Sequence, residues 1–212
     1  MSDFKLGPAV RQRLGRFEIP AADAYRAAFI NLDAAARTLA SVAPARRILE
    51  VGCGDGSFGQ RLLEHYPGAE YVGIDISAEP GRLFRGDQSR ATFRSIDSAS
   101  YLAEGPEPFD LVVMVDVVHH IPLELRDQVM GEVRALTAPG GRYAIKEWDP
   151  IRGPVHAACW ALDRYVTGDD IKHIRSADLC AWIGRLLGDQ MVLDAKVPPH
   201  KNNYLVAWQK QD

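Results

Sequence analysis

The chain has 212 residues, of which 47% are hydrophobic and 25% are charged, and its formal net charge is −3. This composition suits one α/β domain with a proper core, and the chain lacks the basic stripe that a nucleic-acid-binding protein needs. It has no 18-residue apolar run and no signal-peptide pattern, which favours a cytoplasmic protein without membrane insertion. Its three cysteines have no CxxC spacing, so neither a disulfide framework nor a metal site is expected.

An Ala-rich segment over 21–42 is the first predicted element. Its large apolar residues recur at helical spacing, and Pro44 follows them. The pattern predicts a helix that packs near a ligand site. This helix would belong to an N-terminal helical cap over 1–43.

A glycine-rich loop follows the next apolar run and is the most informative stretch of the chain. The run over 48–51 leads directly into Gly52, Gly54 and Gly56, and a helical pattern begins at Ser57. Glycines this dense after a strand let the backbone turn sharply and approach a ligand closely. Such a loop, at the carboxyl end of a sheet, is typical of a cofactor site.

The glycine pattern leaves two kinds of cofactor open. A G-x-G-x-x-G frame fits from Gly54 through Gly59, so an NAD-dependent oxidoreductase is one alternative. However, Glu50 and Asp55 flank the loop, and two carboxylates would repel the pyrophosphate of a dinucleotide. They suit a cofactor with a cationic end, such as the ammonium group of an amino acid.

Three further apolar runs each end in an acidic residue. The second predicted strand ends at Asp75, some twenty residues after the loop, where a carboxylate can accept hydrogen bonds from two ribose hydroxyls. The third ends at Asp97. The fourth, which is intensely apolar, leads into Asp116, His119 and His120.

These four segments together resemble the class I S-adenosylmethionine-dependent methyltransferases of the small-molecule type. The resemblance covers roughly residues 44–148 and includes Pro139-Gly-Gly-Arg142 before a fifth strand. It implies a Rossmann-like, doubly wound α/β fold whose seven-stranded sheet has the order 3-2-1-4-5-7-6 with strand 7 antiparallel. It also implies transfer of a methyl group from S-adenosyl-L-methionine (SAM) to an O, N or C atom of a small-molecule acceptor, with S-adenosyl-L-homocysteine (SAH) as product.

The resemblance assigns ten residues to the cofactor site. By this resemblance the loop lies against the methionine part of SAM, Asp75 binds the ribose, and Asp97 contacts the adenine amino group. The ten residues are Glu50, Gly52, Cys53, Gly54, Gly56, Asp75, Ile76, Asp97, Asp116 and Val117.

Periodicity and turn residues predict the rest of the scaffold. Helices are expected over 57–66, 123–137 and 178–187, with only a short helix between 76 and 91, and strands over 141–147, 191–197 and 203–208. In the 123–137 helix, Leu125 is expected on the buried face. A helix within 151–175 is expected to cover the acceptor site.

Catalysis needs little from the protein, because the sulfonium already activates the methyl group and positioning supplies most of the rate. An acceptor that must lose a proton also needs a base, and His119, His120 and Glu147 are the candidates. Further candidates are Asp149, His156 and His173, while Trp148, Trp160 and Tyr165 are candidate walls of the acceptor site. The alternatives are structural histidines and, for the whole protein, a cofactor-binding subunit without turnover.

Overall fold

One mixed sheet of seven strands organises the described part of the chain, which comprises residues 30–151, 153 and 173–212 of a computed structural model. The strands are β1 (Arg47–Val51), β2 (Glu70–Asp75), β3 (Ala91–Ser95), β4 (Phe109–Val115), β5 (Thr137–Trp148), β6 (Gln190–Lys196) and β7 (Asn203–Gln209). The helices are α1 (Leu32–Val42), α2 (Ser57–His65), α3 (Ser98–Ala103), α4 (Arg126–Leu136) and α5 (Ser176–Leu187). None of these helices is long and apolar enough to cross a membrane.

The strand order is β3-β2-β1-β4-β5-β7-β6, which confirms the expected topology. Strands β1 to β5 pair in parallel, whereas β7 pairs antiparallel with both β5 and β6. The chain proceeds from β1 to β2 on one side and to β3 beyond it, then returns to β4 on the other side. Between β1 and β4 the order therefore reverses, and such a reversal opens a crevice at the carboxyl ends of the strands.

The central strands are buried on both faces, as their continuous apolar runs predict. Leu111 and Val113 of β4 belong to the hydrophobic cluster that contains α1 and α2. Val112 and Met114 belong to the opposite cluster, with α4 and α5. This alternation places two helical layers against one sheet.

Helix α1 confirms the second half of the segment predicted as helical over 21–42. The Asn31 side chain caps it by accepting a hydrogen bond of 2.9 Å from the Ala34 amide. Its buried residues, among them Leu39, pack in the cluster that contains Phe58 and Leu62 of α2. Residues 1–29 of the predicted cap, and most of the predicted cover segment 151–175, lie outside the described residues.

Two predicted boundaries were wrong. Helix α4 begins at Arg126 and follows a 3₁₀ turn over Leu123–Leu125, so Leu125 is exposed rather than on the buried face. A 3₁₀ turn advances by a larger angle per residue than an α-helix, which rotates an apolar residue off the expected stripe. Strand β5 begins at Thr137 instead of 141, because an irregularity opposite Phe109 accommodates the Pro-Gly-Gly segment within the strand.

Candidate active site

The loops that carry the predicted site residues meet at the carboxyl edge of the parallel strands. The glycine loop follows β1, and Asp75 ends β2. The segment over 116–120 follows β4, and Glu147 lies near the end of β5. Because β1, β2, β4 and β5 are parallel and adjacent, these groups lie on both sides of the reversal of strand order, where open α/β sheets bind their ligands.

The glycine loop is packed tightly at two positions and open at the third. Gly52, Gly54 and Gly56 have φ angles of +76°, +50° and +84°, which only glycine adopts without strain. A Cβ at position 52 would lie 2.5 Å from Val117 Cγ2, and one at position 56 would lie 2.9 Å from the Gly81 Cα. A Cβ at Gly54 would meet nothing within 4 Å. Gly54 is therefore the point at which a ligand can approach the backbone.

Asp75 is bound to the glycine loop. Its Oδ2 accepts a hydrogen bond of 2.8 Å from the Gly54 amide, and its Oδ1 accepts one of 2.8 Å from the Ser77 amide. Each carboxylate oxygen can accept a further bond, so two ribose hydroxyls can be accommodated as well. Beside it, Ile76 is 85% exposed, the largest exposure among the large hydrophobic residues described.

Asp97 has a structural role that sequence analysis missed. It is the N-cap of α3, where its Oδ1 accepts from the Ser100 amide at 2.7 Å and its Oδ2 from the Ser100 hydroxyl at 3.0 Å. These hydrogen bonds hold the pKa of Asp97 below its ordinary value. The signal was present, since an acid directly before a Ser-rich segment is a typical N-cap.

Glu50 lies beneath the glycine loop and is 2% exposed. The Tyr71 hydroxyl donates a hydrogen bond of 2.6 Å to it. Burial raises the pKa of Glu50 to about 8, although the bond from Tyr71 acts in the opposite direction, and the nearby Asp55 and Asp75 carboxylates raise it further. Glu50 is therefore largely protonated in the ligand-free protein at neutral pH.

Cys53 packs in the same layer, in surroundings that disfavour ionisation of its thiol. Burial raises the pKa of its thiol, and the carboxyl groups of Glu50 and Asp75 raise it further. A Cβ at Gly73 would lie 2.8 Å from the Cys53 Sγ, so the sulfur fills the space above β2. That a ligand lies beside Cys53 stays a prediction.

A buried lysine pairs with Asp116, the residue that follows β4. Lys146 is 1% exposed, and its Nζ donates to Asp116 Oδ1 at 2.9 Å and to Oδ2 at 2.7 Å. Asp116 has a φ of +55°, the only positive φ of a non-glycine residue in the described ranges. Lys146 was not a predicted site residue, because nothing in the sequence indicates which acid a strand lysine will contact.

His119 and Glu147 form a buried pair at the same edge. Glu147 is fully buried, and its Oε1 accepts from the Val118 amide at 2.7 Å. Its Oε2 lies 2.6 Å from the His119 Nδ1. Burial acts to raise the pKa of Glu147, but the charge and hydrogen bond of His119, with the charge of Lys146, lower it below its ordinary value. The carboxylate is therefore ionised and fixes the imidazole through Nδ1.

Two of the other candidate bases lie beside His119, and Asp149 is bonded elsewhere. The rings of His120 and His173 lie 4.1 and 5.3 Å from that of His119, measured between centroids. Asp149 instead accepts a hydrogen bond of 3.1 Å from Lys196. Trp148 is buried. His156, Trp160 and Tyr165 lie outside the described residues.

Comparison with known proteins identifies a similar domain. Residues 49–143 match the family model of a methyltransferase domain. The ubiquinone biosynthesis O-methyltransferase of Stutzerimonas stutzeri is 28% identical over 150 residues, which are 65% of this chain and 62% of that protein. The chain thus spans less than two thirds of the length of this relative.

Two solved structures share the fold. Human N-acetylserotonin methyltransferase in complex with SAM has a TM-score of 0.72 at 14% identity, over 100% of this chain and 61% of that one. The 1,6-didemethyltoxoflavin-N1-methyltransferase of Burkholderia thailandensis, with bound 1,6-didemethyltoxoflavin and SAH, has a TM-score of 0.63 at 17% identity, over 96% of this chain and 88% of that one. At these identities the likeness shows a common architecture.

Proposed function

We propose that this chain is a class I SAM-dependent methyltransferase, which binds SAM and methylates an O, N or C atom of a small molecule; the matching methyltransferase-domain model and the similar O-methyltransferase support this. One observation carries the proposal. The Gly54–Asp75 contact and the His119–Glu147 pair lie at one edge of the sheet, on the two sides of the strand-order reversal. A cofactor site and a base therefore face one crevice.

The residues around the glycine loop fit SAM. The open backbone at Gly54 accommodates the methionine part, and Glu50, whose pKa of about 8 lies far above the ordinary value, regains its charge when an ammonium group approaches it. Asp75 accepts the ribose hydroxyls. Exposed Ile76 provides an apolar surface for the adenine.

Three further predicted cofactor residues contribute in different ways. Asp97 can accept from the adenine amino group only with the lone pairs that its cap does not use. The carboxylate of Asp116 is engaged by Lys146, so the contribution there comes from the backbone and from the Val117 side chain, which lies against Gly52.

For methyl transfer, SAM supplies a methyl group that its sulfonium has already activated. The protein has to align the acceptor and exclude water. With Nδ1 anchored to ionised Glu147, the basic atom of the His119 imidazole in its neutral form is Nε2, which can accept the proton of a hydroxyl or an ammonium group. The names of the relatives, an O-methyltransferase and an N-methyltransferase, support acceptors of these two kinds.

We also propose that the protein acts in small-molecule metabolism in the cytoplasm. The negative net charge supports a small acceptor rather than a nucleic acid. Cys53 and Cys180 are free thiols, which suits a reducing compartment.

The test is calorimetric titration of the purified protein with SAM, SAH and, as a control, NAD(H). We expect micromolar binding of SAM and SAH alone. Asp75→Ala should weaken SAH binding by about tenfold or more, because it removes a charged acceptor. The matched control is Asp87→Ala, which removes an exposed carboxylate from the N-cap of the 3₁₀ turn before β3 and should leave affinity within twofold of wild type. Binding of NAD(H) instead of SAH would favour the oxidoreductase alternative, and intact affinity in Asp75→Ala would refute the proposed cofactor pose.

A further inference from the structure

The contact between Lys146 and Asp116 combines two unusual features. Within the described ranges, the ammonium of Lys146 donates hydrogen bonds to the Asp116 carboxylate alone. Asp116, in turn, adopts a left-handed backbone conformation that side chains with a Cβ rarely adopt. Its amide also donates to the Lys146 carbonyl at 2.9 Å. Residue 116 is therefore bound to residue 146 through both backbone and side chain.

This pair is poorly explained by stability alone. Desolvation of two charges offsets most of their attraction, and a buried ion pair can often be replaced by apolar groups without loss. A glycine at position 116 would adopt the observed φ without strain. An aspartate in a left-handed conformation that is also paired with a buried cation therefore indicates a geometric role.

The conformation of residue 116 directs the three residues that follow it. Val117 packs against Gly52 of the glycine loop. The Val118 amide donates to Glu147, and His119 follows it with Nδ1 on the same carboxylate. Lys146 and Glu147 are consecutive residues of β5, and they bind the two ends of the segment 116–119. This segment contacts the glycine loop and includes the candidate base His119.

We infer that Lys146 is a positioning residue: its ammonium keeps Asp116 left-handed, and so sets Val117 against the cofactor loop and His119 on Glu147. The consequence for cofactor affinity depends on the proposed function. The consequence for the geometry of the segment 116–119 does not, so the two can be tested separately.

The first test compares Lys146→Met with Lys210→Met in the full chain. Lys210 is a matched control, since its Nζ donates to the Thr137 carbonyl at the opposite edge of the sheet. Two quantities are measured: amide hydrogen exchange at Val118 in the free protein, and the Kd for SAH. We expect Lys146→Met to accelerate exchange at Val118 and weaken SAH binding, each about tenfold, and Lys210→Met to change neither.

The second test separates geometry from charge and does not depend on the folding of the single variant. Asp116→Gly/Lys146→Met and Asp116→Ala/Lys146→Met both lack the ion pair, but only alanine has a Cβ that opposes a positive φ. We expect the glycine double variant to bind SAH about 5- to 30-fold more tightly than the alanine one, and to protect the Val118 amide more by a similar factor.

Equal behaviour of the two double variants, or an unchanged Val118 amide in Lys146→Met, would overturn the inference. If the wild-type protein binds no SAH, the proposed function fails, while the exchange measurements still decide the role of Lys146.

Discussion

Glu50 and Glu147 are both buried glutamates near the ends of two strands of one sheet. At neutral pH, however, Glu50 is largely protonated and Glu147 is ionised. Around Glu50 the neighbours are a neutral phenol and two further carboxyl groups, and burial raises its pKa to about 8. Burial also acts to raise the pKa of Glu147, but an imidazole and an ammonium group more than offset it. Depth alone therefore does not determine ionisation; the charge already present nearby does.

Among the described residues, no cationic side chain shifts the pKa of Glu50, whereas His119 and Lys146 both lower that of Glu147. On the proposed cofactor side, the ligand has to bring the positive charge. On the proposed acceptor side, the protein supplies it, and the carboxylate serves to orient a histidine. The two residues also give the free energy of unfolding opposite dependences on pH. Glu147, with a lowered pKa, stabilises the fold above its unfolded-state pKa, and this contribution is lost as the pH falls through its folded-state pKa.

The largest effect is expected from removing the candidate base, His119. His119→Ala should lower kcat for a hydroxyl acceptor by about 10²- to 10⁴-fold, because the proton then has no positioned base. The Kd for SAH should change less than threefold. Methyl transfer is measured with labelled SAM and a panel of phenols and other small hydroxyl compounds.

The control for this prediction is His65→Ala. His65 also pairs with a carboxylate, at 2.7 Å from Asp33, but on the surface between α1 and α2. Its loss should leave kcat within twofold. An equal decrease in both variants, or none in His119→Ala, would mean that the His119–Glu147 pair serves the fold rather than the reaction.

The next effect concerns the cofactor side, through Glu50→Gln. The raised pKa of Glu50 means that the folded state binds this proton more tightly than the unfolded state does, so stability is lost as the pH rises from about 4.5 towards 8. Glutamine cannot ionise and avoids this loss. The free energy of unfolding of the variant minus that of wild type should therefore increase between pH 5 and pH 8, by at most on the order of 4 kcal/mol. Urea unfolding at both pH values measures the gain.

The same variant should bind SAM about 10- to 100-fold more weakly, since a hydrogen bond between two charged groups is lost. Calorimetry in two buffers of different ionisation enthalpy should show release of nearly one proton when wild-type protein binds SAM at pH 7, and none for Glu50→Gln. Glu64→Gln, an exposed change on α2, is the control. If Glu50→Gln is less stable than wild type and releases the same number of protons on binding SAM, Glu50 is not the protonated member of the two glutamates.

The smallest effect is expected at Ile76, which lies on the cofactor side but outside the charged layer. Because its side chain is 85% exposed, Ile76→Ser should change the free energy of unfolding by less than about 0.5 kcal/mol. Removing an apolar surface for the adenine should weaken SAH binding about threefold to tenfold. Met191→Ser, an exposed apolar position on β6, should leave binding unchanged. If both variants bind alike, Ile76 does not contact the cofactor.

Sequence analysis predicted that the candidate site residues share one edge of the sheet, and the structure places them there, because glycines and acids at strand ends are local signals. The sheet order was available only through family resemblance and is confirmed by the structure. Pairings across strands were not predicted. The contact of Lys146 with Asp116 and that of Tyr71 with Glu50 each depend on which residues of neighbouring strands lie side by side, and this register follows from packing of the whole sheet.

The helical boundary at Arg126 and the cap at Asp97 were missed for different reasons. The boundary depends on residues whose conformations are settled only by tertiary contacts. The cap had a local sequence signal, but the acid at the strand end was assigned to the ligand alone. A 3₁₀ turn and an α-helical turn over Leu123–Leu125 differ little in isolation, and an acid at a strand end can serve a ligand, a helix or both.

The close approach of Gly56 to Gly81 has a consequence for binding entropy. The Gly81 amide donates to the Gly54 carbonyl, and the Leu83 amide donates to that of Asp55, so the loop after β2 is bonded to the glycine loop. Two neighbouring walls of the proposed groove are thus ordered in the ligand-free protein. A ligand that enters such a preorganised groove does not have to immobilise these walls, and more of its contact energy appears as affinity.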